Sequence, residues 1–111
     1  MTIKICEVND LIPNSGICAL LNNNGEDEQV AVFFLPETEQ KIFAIGNWDP
    51  LGQANVLSRG IVGNIGDELV VASPLYKQHF SLITGSCLEE DDISVPVYSV
   101  SIEENAVILA A

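Results

Sequence analysis

Apolar residues in this chain fall into short runs rich in Val, Ile and Phe, separated by clusters of Asn, Asp, Gly and Pro. Runs at this spacing, with no long amphipathic helical pattern, predict an all-β antiparallel sandwich or partial barrel. The first strand is expected over residues 2–8. A turn-rich connector follows over 9–16, in which Asp10 is placed to cap one short helical turn before Pro13 ends it. Strands are expected over 17–21, 29–35 and 41–45, with Asn22-Asn23-Asn24-Gly25 as a strong turn signal between the first two of these. The run from Val30 to Leu35 is unbroken, which predicts burial on both faces. Residues 61–65 and 68–72 read as a hairpin about Gly66-Asp67. A strand over 79–82 stops at Thr84-Gly85, and 96–102 with 106–109 form a last hairpin turning at Glu104-Asn105.

With 111 residues, the chain is long enough for one domain, 1–111, with a modest core. No repeat, linker or low-complexity tract interrupts it. A hydrophobic fraction of 48% against 18% charged residues argues for a folded protein. The longest apolar run is too short to cross a bilayer, and the first seven residues lack the basic and apolar regions of a secretory signal, so a cytoplasmic protein is expected. The net charge of −12 argues against nucleic acid and against an anionic membrane; on its own it reads first as a route to solubility, with a basic-surfaced partner as its natural complement. The acidic run Glu89-Glu90-Asp91-Asp92 reads as a solvated loop.

Cys6, Cys18 and Cys87 contain no Cys-x-x-Cys pair, so neither a zinc site nor an all-cysteine cluster is expected. Cys6 and Cys18 lie among apolar strand residues and read as small core hydrophobes. Cys87 follows Gly85-Ser86 in a turn and reads as more exposed.

Two segments remain, Phe43-Ala44-Ile45-Gly46-Asn47-Trp48-Asp49-Pro50 and Val71-Ala72-Ser73-Pro74-Leu75-Tyr76-Lys77-Gln78-His79-Phe80. Their order and spacing resemble the frame of a Rieske iron–sulfur protein, in which Cys-x-His and Cys-Pro-x-His hold a two-iron cluster through two thiolates and two imidazoles. The four ligand positions here are Asn47, Asp49, Ser73 and Tyr76. An amide, a carboxylate, an aliphatic hydroxyl and a phenol do not supply that donor set. The frame without its ligands resembles the small subunit of assimilatory NAD(P)H-dependent nitrite reductase, and the resemblance covers nearly the whole chain.

That resemblance implies a Rieske-like β fold in which loops 47–60 and 73–78 form a small subdomain. It also implies a non-catalytic subunit without cofactor or metal of its own. The partner would be a large subunit carrying sirohaem, an iron–sulfur cluster and FAD, which reduces nitrite to ammonium with electrons from NADH or NADPH. A cluster-free Rieske-like module serving another redox enzyme is the alternative. An electron-carrying Rieske ferredoxin conflicts with the missing ligands, and a mononuclear metal held by Asp49, Tyr76 and His79 is the weakest reading.

The residues themselves suggest how the vacated site is filled. Asn47 and Ser73 have the groups to bond each other or backbone amides. Tyr76 is expected to pack its ring into the site. Trp48, Pro50, Leu51, Leu75 and Tyr76 lie at the loop tip and form a candidate docking surface, because aromatic and apolar anchors concentrate interface energy. Arg59, before Gly60, is expected to brace the first loop.

Overall fold

The computed structural model describes residues 2–23 and 25–110. Its strands are β1 (Thr2–Glu7), β2 (Ser15–Asn23), β3 (Glu26–Phe34), β4 (Ile42–Gly46), β5 (Trp48–Asp49), β6 (Ala54–Asn55), β7 (Ile61–Ile65), β8 (Glu68–Ala72), β9 (His79–Ser81), β10 (Val97–Glu103) and β11 (Ala106–Ala110). Three-residue 3-10 turns at Val8–Asp10 and Leu57–Arg59 are the helical elements among the described residues.

The large antiparallel sheet has six strands in the order β1-β11-β10-β4-β3-β2. Its two edge strands curl toward each other. Ile3 and Ile5 of β1 and Ile17 and Ala19 of β2 line one cavity of about 200 Å³ together with Val30 and Leu109. The sheet is therefore a nearly closed barrel, as the run pattern predicted. A three-stranded sheet, β7-β8-β9, and the two-stranded β5-β6 complete the fold.

Two hydrophobic clusters share β3 and β4 as a common wall. Val30 and Val32 with Ile42 and Ala44 face the barrel interior, where Leu21, Val107 and Leu109 join them. Their alternates Ala31, Phe33, Phe43 and Ile45 face the second cluster, with Leu57, Val71, Phe80, Leu82 and Cys87. Side chains alternate across a strand, so a strand flanked by core on both sides is apolar at every position. The expected two-sided burial of residues 30–35 is present: Val30, Ala31, Val32 and Phe33 are fully buried. Burying a side chain the size of Phe33 contributes on the order of 2–3 kcal/mol.

The element boundaries differ from the expectation at points with identifiable causes. β3 begins at Glu26 because its ladder with β2 continues through polar residues, Asn22 opposite Asp27 and Asn23 opposite Glu26. Asn24, inside the expected turn, lies outside the described residues. β4 begins at Ile42, since Lys41 is in the left-handed region at φ 67°. The first strand stops at Glu7, and Asp10 does not occupy the N-cap position. It is the third residue of the turn and accepts the Glu7 amide at 3.0 Å, while Glu7 is the N-cap. β9 ends at Ser81, whose hydroxyl accepts the amides of Ile83 and Thr84 at 3.2 and 3.1 Å. The hairpin 61–65/68–72 has its expected boundaries, with Gly66 at φ 61°. The last hairpin turns through Glu104 and Asn105, both at positive φ.

Candidate functional site

The two loops meet where the first core ends. β4 leads directly into Asn47, and β5 pairs with β6 (Trp48 opposite Asn55, Asp49 opposite Ala54), which doubles the first loop back on itself. The second loop leaves β8 at Ser73 and is closed by two backbone bonds: Ser73 N–H to the Gln78 carbonyl at 2.8 Å, and Lys77 N–H to the Ser73 carbonyl at 3.0 Å.

Three of the four ligand-equivalent residues are buried polar groups: Asn47, Asp49 and Ser73 are each 1% exposed or less. Buried polar groups need partners, and each of these has them. The Asn47 amide oxygen accepts the Ser58 N–H at 2.7 Å, and its nitrogen donates to Gln29 Oε1 at 3.1 Å. Its backbone bonds the Gln29 carbonyl and the Leu57 amide, so one residue ties β3 to the Leu57–Arg59 turn. Asp49 Oδ1 accepts the amides of Leu51 and Gly52 at 2.9 and 3.1 Å. Its other oxygen accepts the Ser73 hydroxyl. That bond joins the loops. The close approach depends on Gly52, where a Cβ would strike the Leu75 side chain and lie 3.1 Å from Asp49 Oδ2.

Several expectations are corrected here. Asn47 and Ser73 do not bond each other; Asp49 is the partner of Ser73, and Asn47 turns to Gln29 and Ser58. Tyr76 does not fill the site, because the short closure of the second loop leaves it outside at 64% exposed. Leu51 is half-buried against the first core, and Pro50 is half-buried. Trp48 and Leu75 are about half exposed, at 49% and 46%. Arg59 does not brace its loop through its side chain. Its backbone N–H closes the 3-10 turn on Val56, and its side chain lines a cavity with Lys77 and His79.

The cysteines are reversed relative to the expectation. Cys18 is exposed, on the outward side of β2, while Cys87 is 2% exposed inside the first core. Cys6 is half-buried against the barrel core. Burial pushes the Cys87 and Cys6 thiols up.

His79 does not join Asp49 and Tyr76. Its backbone N–H donates to Glu89 Oε1 at 2.8 Å and its Nδ1 lies 2.6 Å from Glu89 Oε2. The run 89–92 is exposed, as expected, and Glu89 within it is in addition the bonding partner of His79. Partial burial alone would raise its carboxyl, but the bonds from His79 outweigh that and hold it below the ordinary value. Sequence reading missed Gln29, Ser58 and Glu89. Gln29, a polar residue at the head of an apolar run, was the one available signal.

Among the described residues no cluster of His, Cys, Asp or Glu has the arrangement of a metal site, and no helix is long and apolar enough to cross a membrane. The donor set does not fit a two-iron cluster. None of the four positions holds a thiolate or imidazole, and the three buried ones are saturated by their own hydrogen bonds.

A nearly closed antiparallel barrel bearing two apposed loops after β4 and β8 defines a Rieske-type domain, here with polar residues in place of the ligands. The model of the Rieske-like [2Fe-2S] domain matches residues 2–110. The NADH nitrite reductase small subunit of Escherichia coli K12 is 44% identical over 103 residues, 93% of this chain and 91% of that protein. The solution structure of the nitrite reductase [NAD(P)H] small subunit of Erwinia carotovora superposes with a TM-score of 0.79 at 42% identity, over 99% of this chain and 81% of that one. A nitrite reductase [NAD(P)H] large subunit of Klebsiella oxytoca is 34% identical over 103 residues, which span 93% of this chain and 10% of that protein. The chain belongs to the Rieske-like domain family and, within it, to the small subunits of NADH nitrite reductase.

Proposed function

We propose that this chain is a non-catalytic, cofactor-free subunit that assembles in the cytoplasm with a nitrite reductase large subunit, on which sirohaem, an iron–sulfur cluster and FAD reside. The observation that carries the reading is the self-contained closure of the loop site: Ser73 bonds Asp49 where cluster ligands would stand, and Asn47 is bonded to Gln29 and Ser58. Such a site holds loops in place and offers no group poised for electron or proton transfer. The Klebsiella match supports the partnership, since there a segment similar to this chain lies within a large-subunit polypeptide.

The docking surface in this reading is the loop tip, with Trp48, Leu75 and Tyr76 exposed and Pro50 and Leu51 supporting them from half-buried positions. Exposed aromatic side chains surrounded by polar surface are the usual anchors of an interface, and removing one costs about 2 kcal/mol or more of binding. Co-expression with the large subunit tests this. Trp48→Ala and Tyr76→Ala are expected to reduce recovery of the complex while leaving the melting temperature of the small subunit unchanged. Normal assembly by both variants would place the interface elsewhere. A purified small subunit that carries bound iron and visible absorption would overturn the cofactor-free reading.

A further inference from the structure

The chain has few cations, four Lys and Arg and one His, against sixteen acidic residues. Three of those five basic side chains, Arg59, Lys77 and His79, line a single cavity of about 480 Å³ whose remaining walls include Ile61 and Pro74. Lys4 is already paired with Glu7 at 2.5 Å. Among the described residues neither Arg59 nor Lys77 has an acidic partner within salt-bridge distance. Glu89 is the carboxylate bonded to a lining residue, and both its oxygens are engaged by His79. Two residues with unpaired charges thus line one cavity on a strongly acidic molecule.

The fold holds Lys77 there at some strain. Its φ of 65° lies in the left-handed region, which a glycine would occupy freely. The loop closure on Ser73 keeps it in that conformation. The cavity adjoins the tip: Ser73 and Pro74 line it, and the next residues along are the exposed Leu75 and Tyr76. Ile61, at its mouth, is 79% exposed, an apolar side chain left in water at the start of a strand.

We infer that this cavity receives an acidic segment of the large subunit, a carboxylate held between Arg59 and Lys77 with an apolar side chain over Ile61 and Pro74. Guanidinium and ammonium together match a carboxylate, the first by paired N–H groups and the second as a point charge. A protein carboxylate fits better than a free anion. The net charge of −12 repels small anions from solution, whereas a segment of a chain already anchored at Leu75 and Tyr76 is presented at high effective concentration. The inference rests on the loop tip facing the large subunit, and it adds the sign of the charge that the partner carries there.

The test compares Arg59→Glu and Lys77→Glu with Tyr76→Ala in binding to the large subunit, with circular dichroism and melting temperature as folding controls. Arg59→Gln and Lys77→Gln serve as milder variants if a reversal disturbs folding. The expected result is that each reversal weakens binding about tenfold or more, that the Gln variants weaken it less, and that salt weakens wild-type binding more than that of the variants. Unchanged binding by both reversals, with Tyr76→Ala still impaired, overturns the acidic-segment inference and leaves the docking surface standing. Unchanged binding by all the variants removes both. A titration of the isolated chain with sodium phosphate, followed by amide shifts at Lys77 and Ile61, completes the test. Saturation at submillimolar phosphate would identify a small-anion site and overturn the assignment to a partner chain.

Discussion

The Ser73 hydroxyl donates to the Asp49 carboxylate across 24 residues of sequence, and both side chains are fully buried. The two residues stand where an iron–sulfur protein would place a thiolate and an imidazole, and their bond does mechanically what a cluster does there: it clamps loop to loop. Asp49 Oδ1 accepts two backbone amides as well, so both carboxyl oxygens have donors.

Ser73→Ala leaves Asp49 Oδ2 buried without that donor, which costs about 1–3 kcal/mol for an unsatisfied group and more where the group is charged. We expect a measurable loss of unfolding free energy in urea and faster exchange of the Leu75 and Lys77 amides. Asp49→Ala, which also orphans the amides of Leu51 and Gly52, is expected to lose more. Equal stability of Ser73→Ala and wild type would show that the loops are held by the backbone bonds alone.

Thiol chemistry distinguishes the three cysteines. Cys18 is exposed, whereas burial raises the Cys6 and Cys87 thiols and shields the second almost completely. The native protein is expected to react rapidly with Ellman's reagent at a single thiol, removed by Cys18→Ser, and at all three only in denaturant. Rapid labelling of Cys87 in the native state would contradict its position in the core.

Alkali should report on Tyr98. Its hydroxyl donates to Glu28 Oε2 at 2.8 Å, and burial followed by that carboxylate pushes its pKa up to about 12. An unfolded tyrosine ionises near pH 10, so between these values the unfolded chain releases a proton that the folded chain keeps. Stability attributable to Tyr98 is thus intact below about pH 10 and falls as pH rises toward 12. Absorbance near 295 nm is expected to show a late phenolate transition that Tyr98→Phe abolishes.

Acid should report on Glu89. The His79 bonds hold its carboxyl below the ordinary value, so its contribution is present at neutral pH and is lost as pH falls through the lowered value. The side chain is 43% exposed, which limits the worth of the pair to about 1 kcal/mol or less. Glu89→Gln should lower the melting temperature slightly at neutral pH and converge with wild type as pH falls below about 4.5, so that the acid limb of the profile is flatter.

Much of the fold was legible because it follows from local rules. The hairpin of residues 61–72 is a run, a turn signal and a run, and the strands took those bounds. The unbroken Val30–Leu35 segment implied core on both sides, and two cores lie there. Boundaries shifted where a single backbone angle decided them, as at Lys41, or where a hydrogen-bond ladder ran on through polar residues, as at Glu26.

By itself the sequence determined the strand content, the two-sided wall and the absence of sulfur and imidazole from Asn47, Asp49, Ser73 and Tyr76, because these depend on residue type and spacing. Only the tertiary structure decided that Asp49 and not Asn47 meets Ser73, that Tyr76 faces outward, that Cys18 is outside and Cys87 inside, and that Arg59, Lys77 and His79 share a cavity. Apart from Tyr76, which the closure of its own loop turns outward, these features join segments far apart in the chain. Which partner a polar group takes is set by the register and curl of whole strands, and no local pattern carries that.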